Sequence, residues 1–146
     1  MSVHQIHIFI SHAWAYTDHY ETLASWIFHE KWSFGQASLN FHDYSIPKCN
    51  PIHNASTSRE LKEAIYRKIS RSHVIVIPSG MYTNYSKWIK KEIAGAHLYN
   101  KPILAVNPFG QQRKAGIVLD NSTFGVGWNK KTVISGIWQL YYNKNL

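Results

Sequence analysis

The sequence predicts an α/β fold, an open parallel sheet of about five strands with helices on both faces. Three observations carry this expectation. Strand-like apolar runs alternate with amphipathic helical stretches, two of those runs are apolar without interruption, and no repeat or low-complexity tract breaks the order. Uninterrupted apolar runs suit strands covered on both faces, and parallel strands need crossover connections, which are mostly right-handed.

The first run, residues 4–11, alternates Ile6, Ile8 and Ile10 with His7 and Phe9 and reads as a central strand. A helix follows over 17–31, with Tyr20, Leu23, Ala24, Ile27 and Phe28 at helical spacing and Asp18 and Glu21 placed for a capping box. Residues 38–43 form a second strand. The stretch 44–56, YSIPKCNPIHNAS, has no periodicity and carries Pro47 and Pro51, so it reads as a long exposed loop. Thr57 and Glu60 repeat the capping-box spacing and open a helix through residue 70 that buries Leu61, Ala64, Ile65 and Ile69. HVIVIP at 73–78 and PILAV at 102–106 are the two continuous apolar strands, with a helix over 84–99 between them. Near the C-terminus, GVGW adds a short edge strand and Asn129 caps a last helix through 141. With a flavodoxin-like strand order, the first and third strands flank the switch point, and residues 11–14 and 79–82 frame one crevice there.

A length of 146 residues suits one domain, 1–146, able to bury roughly 70% of its unfolded surface. Cys49 is the only cysteine, which removes an internal disulfide and a cysteine-rich zinc site and fits a reducing compartment. The start, MSVHQIHIFISHAW, lacks the marks of a secretory signal, and no apolar run approaches a membrane span, so a cytoplasmic protein without membrane contact is expected. The net charge of +8 favours an anionic partner, yet the cations are scattered and solvated faces account for most of them. No helix-turn-helix, zinc-finger or RNA-recognition signature accompanies that charge, so nucleic acid is not the expected partner. A Gly-x-Ser-x-Gly elbow is absent, as is the acidic cluster of a phosphoryl-accepting receiver. His4 and His7 fall on opposite strand faces and no His-x-x-x-His pair lies on an expected helix, so no metal site is expected.

The most informative residue is Glu92. It lies in NYSKWIKKEIAGAHLY, whose inner stripe is Tyr85, Trp88, Ile89, Glu92, Ile93 and Ala96, while Lys87, Lys90 and Lys91 fall outside. Only eight carboxylates exist in the chain, and this one stands one helical turn after Trp88 where an apolar residue belongs. An ordinary account is a carboxylate at the core's edge, satisfied by a lysine or a backbone N–H.

HIFISHAW, FHDYSIPKCNPI, VIVIPSGMYTNYSKWIKKEI, KPILAVNPFG and VGWN, in that order and spacing, resemble TIR domains, most closely the TIR-like proteins of the bacterial Thoeris anti-phage system. The resemblance runs almost end to end. It implies a TIR-like enzyme that cleaves NAD between nicotinamide and ribose, with Glu92 as the catalytic glutamate on the helix after the third strand. It also implies a cyclic ADP-ribose isomer as product, since cyclising members carry the Trp-x-x-x-Glu pattern found here as Trp88 and Glu92. NAD is then a substrate, no cofactor or metal is needed, and the product acts on a separate effector protein. Assembly into a homo-oligomer on activation is a further implication. Its loop 44–56 differs from those of receptor adaptors, which sets receptor-type contacts aside.

The resemblance places part of a nucleotide pocket at Phe9, Ser11 and His12. Ser11 can instead cap a turn, and His12 can be a plain surface histidine. Asp43 binds a ribose hydroxyl or starts a turn, with the turn slightly favoured. Tyr82 and Tyr85 line the crevice or pack as helix-start tyrosines, and Trp88 can stack on a nicotinamide or adenine ring. The rival class is a non-catalytic interaction module in which Glu92 is a structural remnant.

Overall fold

The computed structural model describes residues 2–11, 17–45, 58–78, 86–107 and 121–144. Six strands, β1 (Ser2–Ile10), β2 (Trp32–Phe34), β3 (Ala37–Asp43), β4 (Val74–Pro78), β5 (Ile103–Asn107) and β6 (Phe124–Gly127), form one sheet in the order β2-β3-β1-β4-β5-β6. Four helices appear among the described residues: α1 (Thr17–Phe28), α2 (Ser58–Ser70), α3 (Ser86–Leu98) and α4 (Lys130–Lys144). Every strand pair is parallel except β2 with β3. The five parallel strands follow the flavodoxin-like order that the alternation predicts.

β2 is the addition. Trp32 pairs with Leu39 and Phe34 with Ala37 across a tight hairpin whose first turn residue, Gly35, has φ +57°. That sign suits a two-residue hairpin and is costly for a residue with a Cβ. α1 accordingly stops at Phe28 rather than residue 31, and the Trp32 indole N–H donates to the Trp26 carbonyl at 2.9 Å, satisfying an acceptor at the helix end.

Parity along β1 divides the core. Ile6, Ile8 and Ile10 join Val74, Val76, Leu104 and Val106 in a buried cluster with Leu23 and Ile27 of α1 and Val133, Ile134 and Ile137 of α4. By alternation, Phe9, Ile75, Ile77, Ile103 and Ala105 face the other way, toward α2 and α3, whose Ile65, Ile69, Ile89, Ile93 and Ala96 are buried. Asn129 caps α4 as expected: its Oδ1 accepts from the N–H groups of Lys131 and Thr132 at 2.9 and 3.2 Å. α3 ends in a Schellman turn, with Asn100 at φ 56°, Asn100 N–H donating to the His97 carbonyl at 3.2 Å and Lys101 N–H to that of Ala96 at 2.7 Å. No helix among the described residues is long and apolar enough to cross a membrane.

Candidate functional site

The carboxyl end of β1 lies at the middle of the sheet, between β3 and β4. Ser11 extends the ladder past the strand, its N–H donating to the Val76 carbonyl at 2.8 Å. Being odd-numbered like Phe9, it points to the α3 side, and its hydroxyl donates to Glu92 Oε1 at 2.5 Å. Both residues are 0% exposed. A strand end and a helix 81 positions later thus share one buried polar contact, and the carboxylate enters the apolar stripe of α3 with a hydroxyl donor aimed at it.

A second group of polar contacts fixes the neighbouring strand ends. Pairing of β1 with β3 ends at Ile8 and Asp43, after which Tyr44 N–H donates to the Ile8 carbonyl at 2.8 Å. The Ile10 N–H then finds no backbone partner on that side and donates to Ser45 Oγ at 2.8 Å. Asp43 starts the turn that places Ser45: its Oδ1 accepts from Ser45 N–H at 2.9 Å, an Asx turn, and its Oδ2 accepts from the Tyr20 hydroxyl. Burial first, and then the Asp43 carboxylate, push the Tyr20 hydroxyl's pKa above its ordinary value, so Tyr20 remains a donor. These contacts hold β1, β3 and α1 together immediately below the Ser11–Glu92 contact.

The candidate residues therefore divide. Ser11 and Glu92 meet. Phe9 is 0% exposed and packs in the core on the same side, one strand repeat below Ser11. Asp43 has both oxygens engaged, Oδ1 in the turn that the sequence slightly favoured and Oδ2 by Tyr20 of α1, and a ribose hydroxyl would have to exchange for one of these donors. Trp88 lies on α3 one turn before Glu92, but its side chain, like His12, Tyr82 and Tyr85 altogether, lies outside the described residues, as do Cys49 and most of the 44–56 loop. Ser45 and Tyr20 were not singled out as site residues; the Asp-x-Ser spacing at 43–45 was the local signal for the turn.

Below Phe9, a row of imidazoles runs from β3 across β1 to the residue before β4. His7 pairs in register with His42, and its N–H donates to His73 Nδ1 at 2.8 Å. Tyr44 stacks on the His7 ring at 4.2 Å, and His7 Nδ1 lies 2.9 Å from the Arg71 carbonyl, to which it donates. His4, on the opposite face, meets Trp138 and Tyr141 of α4 edge-on. Among the described residues no group of three or more His, Cys, Asp or Glu side chains has metal-holding geometry.

The family described as Thoeris protein ThsB, TIR-like domain, matches residues 9–113, from the Phe9–Ser11 strand end through α3 and β5. The chain belongs to the ThsB TIR-like family. The matched span holds Ser11, Asp43, Trp88 and Glu92, so the buried contact lies within the part that defines membership. Membership marks it as a TIR-like protein related to Thoeris defence. No curated protein and no solved structure matches the chain.

Proposed function

We propose that this ThsB TIR-like domain is a cytoplasmic enzyme that cleaves NAD, releases nicotinamide and closes the remaining ADP-ribose into a cyclic isomer that signals to a separate effector protein. The observation that carries the reading is Glu92, a fully buried carboxylate held by Ser11 at the end of the central strand of a domain of this family. When the bond from the ribose anomeric carbon to the nicotinamide nitrogen breaks, its electron pair leaves with the ring and the ribose becomes an oxocarbenium-like cation. An ionised carboxylate beside the ribose stabilises the charge that develops, and a low-dielectric surrounding strengthens that effect. Nicotinamide is already cationic in NAD and needs no proton to leave. Ring closure follows when a nucleophilic atom of the ADP-ribose itself takes the anomeric carbon in place of water and gives up its proton, which requires the adenosine half to fold back. Trp88, one turn before Glu92, is the aromatic surface for that folding.

One observation favours the rival reading of a non-catalytic interaction module: Glu92 is closed off from solvent in this conformation. Small molecules from phage-infected cells expressing either the natural chain or Glu92→Gln separate the two. The enzyme reading expects a cyclic ADP-ribose isomer that needs both infection and Glu92, with turnover lowered at least about a hundredfold by the substitution. Phage defence that persists with no such isomer from either protein supports the module.

A further inference from the structure

On the outer side of α2 and the end of α3 lies a groove of about 470 Å³. Arg59, Lys62, Glu63, Tyr66 and Arg67 line it from α2, and Tyr99 lines it from the end of α3. The α2 residues recur three and four positions apart, the spacing that stacks side chains on one side of a helix, and Arg59 to Arg67 spans about 12 Å of rise. The aromatic wall is built into the helix packing. A Cβ at Gly95 of α3 would come within 2.9 Å of the Tyr66 ring, so glycine there lets Tyr66 lie flush against α3. Tyr66 meets Tyr99 edge-on at 6.1 Å, and Lys62 Nζ sits 5.3 Å from the centre of the Tyr66 ring. Of the three cations only Arg59 has a carboxylate partner among the described residues, Glu63 at 3.1 Å.

We infer that this groove docks an acidic peptide segment of a partner protein. Lys62 and Arg67 supply positive charge with no carboxylate partner among the described residues, and tyrosine and arginine are the residue types that carry binding energy at protein interfaces. A second copy of this chain offers this groove few carboxylates, with eight Asp and Glu against sixteen Lys and Arg. An unbroken row of phosphates fits poorly as well. Glu63 stands within the stripe with 58% of its side chain exposed, where it would repel phosphate but accept a peptide N–H. Tyr99 and its neighbour Leu98, 41% and 63% exposed, offer an apolar surface for a hydrophobic residue of the segment. At the rise of an extended chain, the 12 Å between the outer cations corresponds to about four peptide residues. The inference is independent of NAD chemistry.

The test is a titration of the isotope-labelled full chain, followed by amide resonances, with a short peptide of glutamates, leucines and one tryptophan. A matched peptide with glutamine for glutamate and a thymidine oligonucleotide of the same length serve as comparisons. Expected are shifts confined to residues 59–70 and 95–101, loss of binding with the glutamine peptide, and at least about tenfold weaker binding by Lys62→Glu/Arg67→Glu. If that double variant loses the native spectrum, Lys62→Gln replaces it and is expected to weaken binding severalfold. Shifts that map elsewhere, an affinity unchanged by the charge substitutions, or equal binding of the glutamine peptide would overturn the inference. Tighter binding of the oligonucleotide at the same amides would give the groove to nucleic acid and overturn it too.

Discussion

Removing the Ser11 hydroxyl should cost more when residue 92 is a carboxylate than when it is an amide, and the difference measures the charge at the site. Ser11→Ala leaves the Ser11 N–H on the Val76 carbonyl, so the strand end keeps its backbone bond and only the 2.5 Å contact is lost. Both partners are 0% exposed, so water does not replace the missing donor without rearrangement. A hydrogen bond to a charged group contributes about 1.5–3 kcal/mol and one to a neutral acceptor about 0.5–1.5 kcal/mol. Ser11→Ala alone should therefore lower stability by about 1.5–3 kcal/mol, or Tm by roughly 3–12 °C at about 2–4 °C per kcal/mol. In the Glu92→Gln background the same change should cost about 1 kcal/mol less. Urea unfolding of the four proteins, with m-values compared to show that the denatured states match, closes the cycle. Distant sites are additive within about 0.3–0.5 kcal/mol, so a coupling smaller than that would refute an ionised acceptor and leave Ser11 as a neutral packing partner.

Two further expectations concern the frame around the site. Asn129→Ala removes the acceptor for two helix-start N–H groups and should destabilise the protein by about 1 kcal/mol in the same urea assay, while Asn129→Asp should be close to neutral. His73 should make stability fall in acid: its Nδ1 accepts the His7 N–H, and burial first, then His7 and Lys101, lower its pKa from 6.5. The unfolded chain then binds the extra proton between the lowered value and 6.5, so stability rises with pH through that window and is flat above it. Tm recorded across that window should depend less steeply on pH in His73→Gln, whose side-chain oxygen still accepts the His7 N–H; parallel curves would show that His73 is not the group responsible.

What was legible in the sequence was local or periodic. Alternating Ile6, Ile8 and Ile10, the run VIVIP and the Asn129 cap each act within a few residues, and the structure has them as a central strand, a strand buried on both faces and a capped helix. Glu92 stood out for a similar reason, since one carboxylate interrupts an otherwise apolar helical stripe. Its partner, Ser11, was a pocket candidate through the family resemblance, while its direct contact with Glu92 was not legible. Parity along β1 puts Ser11 opposite the isoleucines, but which helix lies on that face follows from crossover handedness, and the contact joins positions 81 apart. β2 was missed because three residues are too few to show a period, and only Gly35 marked the hairpin. Ser45 was missed because its task, accepting the Ile10 N–H, arises only where β3 stops pairing with β1.

Glu92 also poses a question of stability that can be answered without any substrate. Its neighbours along α3, Ile89, Ile93 and Ala96, are at most 6% exposed, and an apolar side chain at 92 would complete that stripe. Taking a carboxylate out of water is costly, and replacing a buried ionic contact with apolar groups of similar size is commonly neutral or stabilising by about 1–4 kcal/mol. Changing Glu92 alone would strand the Ser11 hydroxyl, so the informative variant is Ser11→Ala/Glu92→Leu, which removes both ends of that contact together. It should unfold at equal or higher urea than the natural protein while losing the proposed NAD cleavage. That outcome would mean the fold carries Glu92 at a cost, as expected of a group kept for chemistry rather than for structure. A clearly less stable double variant would mean that the carboxylate helps hold β1 to α3, and would move the weight toward the interaction module.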